Sequence, residues 1–141
     1  MKGLIIKLYR GFTNLPNINT IIKTRKNRKP SNLDFKLHYE IDNYFFKRFG
    51  IKFRSQSVFC TGDIETAKAY GKVAEIKPIG DFEVCWSPKC FDMFEIEDYP
   101  KMDIEEFIIR NEYQIGNLEE AIKSGNEIML YCDSYKVVAH E

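Results

Sequence analysis

Both ends of the sequence read as strand, and the helical segments all lie between them. Gly3 to Tyr9 (GLIIKLY) is a short apolar, β-prone run. Glu127 to Tyr131 (EIMLY) and Tyr135 to Ala139 are two more, with a turn expected at Cys132-Asp133-Ser134. Three further strands are predicted at Ser57–Cys60, Val73–Pro78 and Asp81–Val84, the last two joined by a turn at Ile79-Gly80-Asp81. Strands gathered at the two ends do not suit regular βαβ winding, in which strand and helix alternate throughout. They suit an α+β domain.

The helices are set by spacing and caps. Leu33, Leu37, Ile41 and Tyr44/Phe45 recur at helical intervals, so a helix is predicted over Ser31 to Phe49, capped by Ser31 or Asn32 and stopped by Gly50. Asp103 caps Ile104–Arg110, and Asn117 caps Leu118–Lys123 with Glu120 in the reciprocal position of a capping box. Thr13 to Thr20, the basic run Lys23 to Pro30 and the acidic run Asp92 to Pro100 are expected as exposed loops. His38 and Trp86 read as packing residues.

With 141 residues, 44% hydrophobic and 14% aromatic, the chain can bury a core as one domain over residues 1–141. No apolar run approaches bilayer length, and the opening one is too short for a signal peptide, so a cytoplasmic protein with no membrane partner is expected. The four cysteines are then expected as thiols. Cys85 and Cys90 have no second pair at zinc-ligand spacing, so no metal is expected. Helix-opening GxGxxG, Walker and HExxH motifs are all absent from the sequence.

Charge divides the chain in two. Residues 1–54 carry 13 Lys/Arg against 3 Asp/Glu, and residues 55–141 carry 8 against 18. The basic half, above all Arg25, Lys26, Arg28 and Lys29, supports one function: a non-catalytic module that binds nucleic acid or an acidic protein.

A second function rests on Arg54 to Gly71. Ser57-Val58-Phe59-Cys60 is a strand, Thr61-Gly62-Asp63 a turn, and Ile64 to Tyr70 a helix capped by Asp63. Such a corner brings hydroxyls and backbone N–H groups to the mouth of a sheet. Taken in order with Leu8-Tyr9-Arg10-Gly11 before it and Asn126-Glu127-Ile128-Met129-Leu130 after it, this stretch resembles the three strand motifs of the ADP-ribosyltransferases. The resemblance implies split antiparallel β-sheets with flanking helices, NAD as co-substrate, and a protein or nucleic-acid acceptor. It implies Glu127 as the catalytic carboxylate, and Arg10 and Gly11 at the NAD phosphates and ribose. Ser57 or Thr61 would orient Glu127, and Phe59 or Tyr70 would flank the nicotinamide ring. The sequence departs from the family in two places. The serine–threonine–serine run reads Phe59-Cys60-Thr61-Gly62, and the second Glu of arginine-modifying members is replaced by Gly125, which disfavours arginine as acceptor.

Overall fold

The computed structural model describes residues 7–29 and 33–140. The strands are β1 (Leu8–Phe12), β2 (Ile21–Lys23), β3 (Val58–Cys60), β4 (Lys72–Trp86), β5 (Gln114–Ile115) and β6 (Ile128–Val138). The helices are α1 (Phe35–Phe49), α2 (Phe53–Gln56), α3 (Ile64–Lys68), α4 (Ile104–Arg110) and α5 (Leu118–Ser124), with a 3-10 turn over Met93–Asp98. The protein is therefore mixed α and β. No helix among the described residues is long and apolar enough to cross a membrane.

One antiparallel sheet replaces the split sheets that the resemblance implies. Its backbone is the pair β4 and β6, flanked by β1 and β5 along β4 and by β2 and β3 along β6. The two expected hairpins are absent: each is a single long strand. At Ile79-Gly80-Asp81 the chain bulges instead of turning back, with Gly80 at φ 75° and the register against β6 slipping between Ile79 and Phe82. Cys132-Asp133-Ser134 runs straight through β6. β1 also approaches the end of β3, and the two meet in one bridge, where Tyr9 and Thr61 exchange backbone hydrogen bonds of 2.8 and 2.9 Å.

Strand alternation sorts the core onto two faces. Ile128, Leu130 and Cys132 of β6 join Leu8, Val58, Ile76 and Trp86 on one side. Met129 of β6 joins Phe45, Phe53, Phe107 and Tyr113 beneath α1, α2 and α4 on the other. Ring centres there lie 5.7 to 6.1 Å apart for Phe45 against Tyr113, Phe53 and Phe49.

The caps follow the residue types, with two exceptions. Asp63 and Asp103 accept from Glu65 N–H and Glu106 N–H, and Gly50 ends α1 at φ 82°. Ser31 and Asn32 lie outside the described residues, and Asp34 caps α1 through Leu37 N–H. Asn117 makes no capping bond. It sits at φ 55°, with its amide on Gln114, so no capping box forms with Glu120.

Candidate active site

Where β1 and β3 converge, a cleft of about 330 Å³ opens between the sheet, α3, the 22–29 segment and the chain entering the 3-10 turn. Six of the seven residues picked from the sequence line it: Arg10, Gly11, Phe59, Thr61, Tyr70 and Glu127. Ser57 does not. It is buried at 1% exposure, and its hydroxyl has no protein partner.

Glu127 enters the cleft just ahead of β6. Its Oε1 accepts from Arg54 Nη1 at 3.0 Å and from Met93 N–H at 3.3 Å, so Oε2 is left without a described partner. The expected hydroxyl support is absent, because Thr61 Oγ1 donates to the Gly125 carbonyl at 3.1 Å and accepts from Asp63 N–H at 3.2 Å. Thr61 thus shapes the loop that carries Glu127, while Arg54 holds the carboxylate. Arg54 is itself framed. Its N–H donates to Asp42 Oδ1 at 3.0 Å, and Ser55 N–H reaches the same oxygen at 3.1 Å, which fixes α2 against α1.

Phe59 is the floor of the basic part. The Arg54 and Arg28 guanidinium carbons lie 4.3 and 4.4 Å from its ring centre, within cation–π range. Its carbonyl accepts from Arg10 Nη1 at 2.8 Å. Arg28 is fixed by its backbone: its N–H donates to Ser55 O at 2.9 Å, and its carbonyl accepts from His38 Nε2 at 3.2 Å. Arg28 forms no ion pair among the described residues. Burial, then repulsion from Arg10, Arg25 and Arg54, lowers its pKa to about 10. Burial also pulls Arg10 down.

At the mouth, Tyr70 donates to Asp92 at 3.3 Å, and Phe91 and Phe94 stand about half exposed beside them. Burial, then the Asp92 charge, raises the Tyr70 phenol. Gly11 also serves the packing: a Cβ there would run into the Ala67 carbonyl, so the missing side chain lets α3 close onto β1.

Among the cleft residues that the sequence did not assign are Arg28, Arg54, His38, Phe91, Asp92 and Phe94. For Arg28 there was a signal. The segment after Ile21 alternates, with Ile22, Thr24, Lys26 and Arg28 turned inward and Lys23, Arg25 and Lys29 outward, so the basic run is no plain exposed loop. Lys26 donates to Cys132 O at 3.1 Å and lies 4.2 Å over the Tyr131 ring. The acidic run is no loop either, since Met93 and Ile96 of the 3-10 turn are buried.

No cluster of three or more His, Cys, Asp or Glu among the described residues could hold a metal ion. Compared with models of protein families, with curated proteins and with solved structures, the chain matches none.

Proposed function

We propose that this chain is an NAD-dependent ADP-ribosyltransferase or NAD glycohydrolase. The observation that carries the reading is convergence. Arg10, Thr61 and Glu127 come from three distant parts of the sequence and line one cleft, with an aromatic floor at Phe59 and an aromatic rim at Tyr70.

Cleaving the nicotinamide–ribose bond of NAD builds positive charge on the sugar, as in glycoside cleavage. A carboxylate beside that sugar stabilises the charge where it develops, and the Glu127 oxygen left over by Arg54 and Met93 can accept from a ribose hydroxyl. Arg10 offsets diphosphate charge. Phe59 and Tyr70 supply flat apolar surface for the rings of the dinucleotide. Histidine is not needed, because nicotinamide leaves as a neutral group.

The test is nicotinamide release from NAD. Glu127→Ala is expected to cut release by about 10²–10³, the usual cost of losing one preorganised electrostatic partner. Equal rates in the two proteins would remove the role given to Glu127.

A second reading has one observation in its favour. The outward side chains Lys23, Arg25 and Lys29 form an exposed basic row beside the cleft, as a nucleic-acid-binding module would present. Oligonucleotide binding that falls steeply with salt, in a protein that releases no nicotinamide, would favour that reading over the enzyme.

A further inference from the structure

β2 ends the order of the sheet, and β6 is the one strand it pairs with among the described residues. Its register fixes which way each backbone group points. Val137 N–H donates to Thr20 O and Thr24 N–H to Asp133 O, both at 2.9 Å, so positions 20 and 24 face β6. Bonded positions alternate in an antiparallel ladder, so Ile22 shares that side. The N–H and C=O groups of Ile21 and Lys23 therefore point away from the sheet, and no described residue bonds them.

The side chains along this edge are sorted as well. Ile22 packs on the core and Thr24 is buried, while Ile21, Lys23 and Arg25 are exposed. Ile21, at 62% exposure, puts an aliphatic group in water at the head of a row of cations. Lys136 lies across from Ile21, and Lys77 across from Lys136. Three carboxylates border this patch. Glu75 is 3.9 Å from Lys77, Asp81 stands in the bulge of β4, and Asp133 is across the ladder from Thr24. Lys23, Arg25 and Lys136 form no ion pair among the described residues.

An open row of alternating donors and acceptors selects for a peptide backbone, because another extended chain repeats the same groups at the same spacing. A nucleic acid supplies phosphates but no matching ladder, and the row Ile21, Lys23 and Arg25 holds no aromatic ring on which a base would stack. A second copy of the chain has the ladder. It also brings its own Lys23 and Arg25 to the pairing, and like charges on an edge keep identical edges apart.

We propose that the free edge of β2 is a docking site for an extended, acidic segment of a partner protein, which adds to the sheet as one more antiparallel strand. Carboxylates at alternate positions of that segment face Arg25 and Lys23, and an aliphatic residue faces Ile21. The positions between them lie on the side of Ile22 and Thr24, where the core begins, and suit β-branched residues. The lysines that turn away the chain's own copy are the ones that admit an acidic strand. This inference is independent of the NAD-cleaving reading.

The test titrates the full chain into a labelled synthetic peptide in which Glu and Val alternate and Ile closes the segment. The same peptide with Gln for Glu, the same peptide methylated on its Glu backbone nitrogens, and a single-stranded oligonucleotide are separate arms. The Glu peptide is expected to bind about tenfold tighter than the Gln peptide, the yield of two cross-strand charge pairs. Methylation is expected to remove the binding, since it blocks the ladder and keeps the charge. Amide hydrogen exchange at Ile21 and Lys23 is expected to slow about tenfold or more in the complex, while Ile22, already bonded to β6, changes little. Reversing both charges, Lys23→Glu with Arg25→Glu, is expected to cost about tenfold or more in affinity with no shift in the thermal melt. Ile21→Pro removes one outward donor, keeps every charge, and is expected to cost about fivefold. No binding of the Glu peptide, equal binding of the Gln peptide, or binding that leaves the two amides unprotected overturns the proposal. Tighter binding of the oligonucleotide overturns it in favour of a nucleic-acid surface. Protection of the same amides in the protein alone, rising with its concentration, overturns it in favour of a second copy.

Discussion

At one end of the cleft, Arg54 meets Glu127 at 3.0 Å, with Asp42 and Met93 securing the pair from behind. At the other, Arg28 rests on the same Phe59 ring at nearly the same distance but meets no carboxylate among the described residues. The two guanidiniums share a platform and a neighbourhood, Arg54 buried and Arg28 half-buried, and differ in whether the fold supplies the counter-charge. The difference teaches how to read a buried cation. A matched one is part of the frame, and an unmatched one held by its backbone is poised for a ligand, at a cost to stability.

Removing the matched cation is the harshest way to probe the contrast. Arg54→Met leaves Glu127 in the cleft without its partner, and a loss of about 3 kcal/mol in urea unfolding is expected, at the low end for a buried pair because Glu127 keeps some access to water. A loss below about 1 kcal/mol would put the pair on the footing of a surface bridge and erase the distinction. Removing the unmatched cation should act in the opposite direction. Folding lowers the pKa of Arg28 to about 10, so the folded chain holds that proton less tightly than the unfolded one. The penalty is therefore full at neutral pH and is relieved only as pH climbs past about 10. Arg28→Leu is expected to gain about 1 kcal/mol at pH 7, after the lost contact with Phe59 is set against the relief. A destabilised Arg28→Leu protein would break the comparison.

The smallest effect concerns His38, which anchors the Arg28 carbonyl. Burial, then the Arg54 charge, lowers its pKa from 6.5, while Asp42 and the Arg28 carbonyl act against them. The unfolded chain then takes up the proton first. Stability from this group is complete above pH 6.5 and declines as pH falls through the lower folded value. Thermal melts between pH 5 and 7 (about the span in which histidine titrates) should show this slope in the wild type and a shallower one in His38→Asn.

What the sequence made legible was local. Asp63, Asp103 and Gly50 each act within one turn of their own position, so their caps could be read from neighbours alone. Gly80 does adopt the positive φ of a turn residue, yet the chain bulges and continues, because β6 keeps pairing on both sides of it. That pairing is between residues some fifty apart and leaves no mark near Gly80. Asn117 failed for a related reason: its amide found Gln114 outside the helix. At the cleft, Arg10 and Glu127 were legible because each stands in a short strand motif. Arg54 and Arg28 were not, since a guanidinium turned inward has the same neighbours in sequence as one turned to water. Only the alternation from Ile22 to Arg28 hinted at it, and three of the four residues on its inward face are polar.

The pairing of β6 with β2, β3 and β4 also fixes when the cleft can exist. During translation every residue lining the cleft leaves the ribosome before β6, the strand that clamps the sheet. A nascent chain stopped short of residue 128 has the guanidiniums but lacks the strand that gathers them. The cleft is thus completed only after synthesis has passed that strand, an order set by the place of β6 in the chain.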